Sequence, residues 1–130
     1  MSRTILLIED NEQNRYLATF LLEQNGFTIA SAADGPAGIE KAQQILPDLI
    51  LLDIQLPAMD GYAVARALRG IEALRDTPIV AVTSYAMVGD REKALEAGCN
   101  GYIEKPIDPD TFVSEIRRFE PTAKMAGGTP

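Results

Sequence analysis

The sequence predicts an α/β fold, a doubly wound parallel sheet with helices on both faces. Three observations carry that expectation. Short apolar runs and amphipathic stretches alternate five times along the chain, the pattern of βαβ units joined by right-handed crossovers. The runs at 49–52 and 79–82 are apolar without interruption, as strands covered on both faces of a parallel sheet are. Runs one, three, four and five end in polar residues: Glu9 and Asp10, Asp53, Thr83, and Lys105.

Each element has its own warrant. Residues 4–8 are apolar and β-branched, the first strand. Asn11 is a fitting N-cap for a helix over 12–24, with Gly26 as its stop and Leu17, Phe20 and Leu21 at helical spacing. Residues 27–32 read as the second strand. Asp34, Gly35 and Pro36 open a second helix that carries Ile39, Ala42 and Ile45 inward and stops before Pro47. Residues 49–53 form the third strand, and 56–61 a tight connection with Pro57 and Gly61. A helix follows over 62–68, then a charged, loop-like segment over 70–78. The fourth strand is 79–82, a weaker helix spans 89–97 before Gly98, and the fifth strand is 101–104. The last helix is expected over 108–119, with Phe112, Val113, Ile116 and Phe119 on one stripe. Residues 1–120 form one domain, and 121–130, rich in Gly, Thr and Pro, a loose tail.

Composition narrows the function. At 130 residues the chain suits one domain with one core. Its formal net charge of −7 argues against nucleic-acid binding, which needs a basic footprint, and against anionic membranes. No apolar run is long enough to span a bilayer, and the N-terminus lacks a signal-peptide pattern, so a cytoplasmic location is expected. The single cysteine, Cys99, excludes an internal disulfide and reads as a small apolar residue. The chain has no histidine, which removes Ser-His-Asp and Cys-His mechanisms and most zinc sites.

The strand ends of a small parallel sheet converge on the edge where such folds bind ligands. Three carboxylates there repel: two unit charges at 4 Å cost about 4 kcal/mol at an effective dielectric of 20. Protonation, the Lys105 ammonium or a bound cation must offset that. An all-oxygen acidic set suits a hard metal such as Mg²⁺, held by Glu9, Asp10 and Asp53 with the backbone carbonyl of Gln55 as a further ligand. A metal, a lysine and a hydroxyl around a carboxylate suit phosphoryl transfer, with Asp53 as nucleophile forming an aspartyl phosphate.

These residues resemble the receiver domain of two-component response regulators. The matching segments are Ile8 to Asn11, Asp48 to Asp53, Leu56-Pro57 with Met59-Asp60-Gly61, Val82-Thr83-Ser84, Ala97-Gly98, Gly101-Tyr102-Ile103 and Lys105-Pro106, in order and at the right spacing. The resemblance implies a flavodoxin-like five-stranded sheet of order 2-1-3-4-5 with five helices. It implies that Asp53 accepts phosphoryl from a histidine of a sensor histidine kinase or histidine phosphotransfer protein. Glu9, Asp10, Asp53 and the Gln55 carbonyl would hold Mg²⁺, and Thr83 and Lys105 would bind the phosphoryl group. Thr83 and Tyr102 would be the switch pair, and the Lys105–Pro106 bond would be cis. The fourth helix, fifth strand and fifth helix would form the output face for a downstream protein acting in trans, and pairing of two copies through it is open. Asp60, Gly61 and the first helix near Asn14 and Leu17 would face the phosphoryl donor. Tyr85 would lie beside the phosphorylation site and shield it, slowing self-dephosphorylation.

Within that family the chain is most similar to single-domain regulators of the DivK type and also to receiver domains of hybrid histidine kinases. The Met-Ser-Arg start followed at once by a strand favours a free-standing regulator. One rival is a receiver-fold interaction module working without phosphorylation. A phosphatase of the haloacid dehalogenase type would need a second acid two residues after the nucleophile, where Gln55 stands. A flavodoxin would need a phosphate loop where Glu9 and Asp10 repel phosphate.

Overall fold

The computed structural model describes residues 3–56, 59–84 and 89–119. Its elements run β1 (Thr4–Ile8), α1 (Glu12–Gln24), β2 (Thr28–Ala32), α2 (Gly35–Ile45), β3 (Leu49–Asp53), α3 (Gly61–Arg69), a 3-10 turn (Glu72–Leu74), β4 (Ile79–Thr83), α4 (Asp90–Glu96), β5 (Gly101–Glu104) and α5 (Phe112–Arg117). The strands form one parallel sheet in the order β2-β1-β3-β4-β5. The expected alternation and order are both present. Pro57, Tyr85 and the 121–130 tail lie outside the described residues.

The strand period sends side chains to two cores. On one face Leu6, Ile8, Ile50, Leu52, Ile79 and Ala81 pack under α2, α3 and α4 through Ala42, Val64, Leu68 and Ala94. On the other, Ile5, Leu7, Leu49, Leu51, Val80 and Val82 pack under α1 and α5 through Ala18, Leu22, Phe112 and Ile116. β3 and β4 are buried along their whole length, which is why their sequences carry no polar alternation.

Three helix starts are built from short polar side chains. Asn11 accepts from the Asn14 N–H, Asp34 from Ala37 and Asp60 from Ala63, at 2.8–3.0 Å, each satisfying an amide the helix cannot. Gly61 is required by close approach: a Cβ there would fall 2.4 Å from the Ile54 Cα and 2.7 Å from the Asp53 carbonyl oxygen. α3 therefore starts pressed against the end of β3.

The structure corrects four expectations. Phe20 is 45% exposed and stacks on exposed Tyr16, with ring centroids 6.3 Å apart. The buried stripe of α1 is Ala18 and Leu22, rotated from the one expected, with Leu17 and Leu21 half-buried at its margin. Ile45 is exposed at the end of α2, where Leu46 turns left-handed at φ 47° before Pro47 and ends the helix face. The 70–78 segment contains the 3-10 turn, and Leu74 is fully buried. The last helix is shorter than expected: residues 108–111 turn first, with the Asp108 carboxylate accepting the Asp110 N–H, and α5 begins at Phe112.

Candidate functional site

Parallel strands place their carboxyl ends on one edge, and the polar residues that end them meet there. Glu9, Asp53 and Thr83 are the buried polar side chains of the described chain, at 4%, 3% and 2% exposure. Lys105, immediately after β5, reaches back across the edge. Its Nζ lies 3.1 Å from Glu9 Oε1 and 3.3 Å from Asp53 Oδ2. The remaining oxygens are held by backbone: Glu9 Oε2 accepts from Asn11 N–H at 3.1 Å and Asp53 Oδ1 from Gln55 N–H at 2.9 Å. Exposed Asp10 completes the acidic group. One carboxylate oxygen from each of Glu9, Asp10 and Asp53 lies within 4.8 Å of the others.

The electrostatics are unbalanced. Three carboxylates share one ammonium, and two of them, Glu9 and Asp53, are buried. Burial pushes the Asp53 carboxyl up to about 6 from 3.8; the Gln55 N–H opposes this, Glu9 adds to it by a shared hydrogen bond and by repulsion, and Lys105 opposes it. A carboxylate that is hard to keep ionised, beside two others, wants a second cation. Three carboxylate oxygens converging from two strand ends fit a hard divalent ion that keeps part of its water shell.

Thr83 joins the group through Gln55. The Gln55 Nε2 donates to Thr83 Oγ1 at 2.6 Å, and its Oε1 accepts from the Ser84 N–H at 3.2 Å. Gln55 was expected to supply its carbonyl, and its side chain was weighed only as the absence of a second acid; no spacing signal points to the bonds that side chain makes. Arg15 was also missed. From the first turns of α1 its Nη1 donates to the Glu9 carbonyl at 2.9 Å and more weakly to the Asp10 carbonyl at 3.5 Å, which fastens the acidic loop to the helix. Tyr102 stands apart from the carboxylates. It is half-buried on β5, packed against the α4 side of the core. With Arg91, Glu92, Glu104, Asp108 and Glu115 it lines a groove of about 630 Å³ between α4, β5 and α5. The Lys105–Pro106 bond is cis. Cys99 is buried, and burial pushes its thiol up to about 11 against the pull of Arg69, which fits a packing role.

Comparison with known proteins agrees with this geometry. The family model for the response regulator receiver domain matches residues 5–117. The chain is 39% identical over 119 residues to the polar-differentiation response regulator DivK of Brucella ovis, covering 92% of this chain and 97% of that one. It is similar to the receiver domain of the sensor histidine kinase PA1611 of Pseudomonas aeruginosa, with a TM-score of 0.84 and 36% identity over 92% of this chain and 98% of that one. That structure holds a magnesium ion in its active-site cleft. It is also similar to the chemotaxis response regulator CheY4 of Vibrio cholerae, with a TM-score of 0.88 and 26% identity over 92% and 99% of the two chains. Among the described residues no helix is long and apolar enough to cross a membrane. With the five-stranded order, the strand-end acids and the family match in agreement, the chain belongs to the response regulator receiver domains of two-component signalling.

Proposed function

We propose that this chain is a cytoplasmic phosphoacceptor regulator in a two-component or phosphorelay pathway, with Asp53 as the acceptor. The observation that carries the reading is the buried Asp53 carboxylate, gripped on one oxygen by Lys105 and on the other by the Gln55 N–H, with Glu9 and Asp10 alongside. The donor is a phosphorylated histidine on a kinase or phosphotransfer protein, and the absence of histidine from this chain is consistent with a donor on a partner. An Asp53 carboxylate oxygen bonds to phosphorus, the phosphorus–nitrogen bond breaks, and the imidazole leaves with its electron pair and takes up a proton.

Glu9, Asp10 and Asp53, with the Gln55 carbonyl, would hold Mg²⁺, which supplies positive charge to offset that on the transferring oxygens. The magnesium ion in the PA1611 receiver supports this assignment. Lys105 balances charge from the opposite side, and the Thr83 hydroxyl donates to the bound phosphoryl group. Glu9, Asp53 and Lys105 are held in place before the donor arrives, so the charges around the acceptor need little reorganisation, and the movement falls at the end of β4.

The output passes to a protein partner in trans. Thr83 and Tyr102 form the switch pair, and the groove between α4, β5 and α5 is the surface they alter. The donor docks near Asp60, Gly61 and α1 around Asn14 and Leu17. The match to DivK along nearly the whole of that regulator supports a small regulator of the same kind. The PA1611 likeness supports a second reading, a receiver belonging to a hybrid histidine kinase. The test is intact mass after incubation with acetyl phosphate and Mg²⁺. One phosphoryl adduct is expected, lost in Asp53→Ala and without magnesium. No adduct, from acetyl phosphate or from a phosphorylated histidine donor, would leave a receiver fold used as a static binding module.

A further inference from the structure

Beyond the ends of β3 and β4 the two backbones part. Asp53 pairs with Val82, and the Ile54 N–H donates to the Val82 carbonyl at 3.0 Å. Past that point the Gln55 side chain is what spans the gap. Its amide orientation is set by its partners. The Ser84 N–H can only donate, so it faces Oε1, and Nε2 therefore faces the Thr83 oxygen. Thr83 is the acceptor in that bond, and the Ser84 N–H is committed to Gln55. The same residue's backbone N–H holds Asp53 Oδ1. One residue thus touches the acceptor carboxylate with its backbone and both donor groups at the end of β4 with its side chain.

We infer that Gln55 is a positioning residue, a clasp that holds the end of β4 in its unmodified arrangement and sets how readily a phosphoryl group on Asp53 can recruit it. The inference rests on the phosphoacceptor reading of Asp53. An anion on Asp53 needs hydrogen-bond donors, and the Thr83 hydroxyl and the Ser84 N–H are those nearest along β4. To recruit them, the anion must draw the Ser84 N–H off Gln55 Oε1 and pull the Thr83 oxygen away from Gln55 Nε2. The latter bond uses a Thr83 lone pair and so fixes the place of the hydroxyl rather than its proton. Each of the two bonds is worth a few-fold in an equilibrium constant after exchange with water. Removing the clasp therefore favours the anion-bound arrangement by about tenfold.

The test is a titration of the Mg²⁺-loaded full chain with beryllofluoride, a stable mimic of the phosphoryl group, followed by amide NMR signals. In Gln55→Leu half-saturation is expected at about tenfold lower concentration than in wild type. In the unliganded protein the Ser84 amide is expected to exchange faster with solvent. Gln55→Glu keeps an acceptor for Ser84 but cannot donate to Thr83 and adds a negative charge, so it is expected to bind more weakly than wild type. A merely structural role would lower the melting temperature of Gln55→Leu and leave the half-saturation point unmoved. Unchanged or weaker beryllofluoride binding by Gln55→Leu, or an unchanged Ser84 exchange rate, overturns the clasp. No binding by either protein overturns the phosphoacceptor reading itself, and the clasp with it.

Discussion

The two edges of the sheet solve opposite problems with the same kind of material. At the amino edge, Arg69 at the end of α3 turns its guanidinium inward. Nε donates to the Gly98 carbonyl at 2.9 Å, Nη1 to the carbonyls of Leu74 and Arg75 at 2.9 and 3.2 Å, and Nη2 to Asn100 Oδ1 at 2.6 Å. Asn100 Oδ1 also accepts from the Ile79 N–H, which starts β4. One cation is thus surrounded by neutral acceptors and ties α3, the 3-10 turn, β4 and the β5 approach together. Burial lowers the Arg69 pKa, with Cys99 and Asp76 opposing, yet an arginine stays charged. At the carboxyl edge three acids face one lysine, and Asp53 is strained toward protonation. Closure is the result where donors and acceptors match. An excess of like charge is the result where acids outnumber bases.

That contrast can be broken from either side. Arg69→Met is expected to have the largest effect on stability. It strips donors from several partly buried acceptors at once, at a cost of about 3 kcal/mol. Thermal unfolding should report a fall of roughly 10 °C, while Mg²⁺ affinity at the far edge stays as in wild type. A comparable loss of both would show that the edges are not independent.

The opposite sign is expected at the other edge. The Asp53 carboxyl titrates near 6 in the folded protein and near 3.8 in its ordinary state, so the folded form binds the proton more tightly. The metal-free protein should therefore be most stable below the ordinary value. It should lose stability as pH rises from about 4 to about 6, and level off above, by an amount on the order of 3 kcal/mol. Asp53→Asn should flatten that slope and raise the melting temperature at pH 7.5 without metal. Denaturant unfolding at a series of pH values checks both. Mg²⁺ should stabilise wild type more at pH 7.5 than at pH 5, where it competes with the proton.

A smaller effect is expected at Leu46, which closes α2 in the left-handed region at φ 47° with its side chain 53% exposed. Leu46→Gly should relieve backbone crowding and stabilise by about 0.5 kcal/mol, read as a modest rise in melting temperature. A fall would mean that the exposed leucine packs more than it strains.

The contrast between edges also separates what the sequence showed from what it hid. Asp53, Thr83 and Lys105 were legible because each ends or follows a short apolar run, and strand direction alone carries them to one edge. Asn11 was legible because capping is local. Arg69 was not. It sits at the end of a helix where a basic residue is ordinary, and its partners lie 5 to 31 residues away. Phe20 and Ile45 misled because helical spacing fixes which residues share a face but not which face is covered. Ala18 and Leu22 fill the space under α1, and the larger aromatic is left outside. Gln55 was hidden because its partners, Thr83 and Ser84, sit on a different strand's end and only folding brings them within reach.

The most direct test of the account is to trap the acyl phosphate chemically. After phosphorylation with Mg²⁺, borohydride reduces an aspartyl phosphate to homoserine, and peptide mass mapping locates the change. Homoserine is expected at position 53 alone, and is absent without magnesium. Homoserine at Asp10 or another aspartate, the longer alcohol at a glutamate such as Glu9, or no reduced residue in a protein that carries the phosphoryl adduct would contradict that expectation.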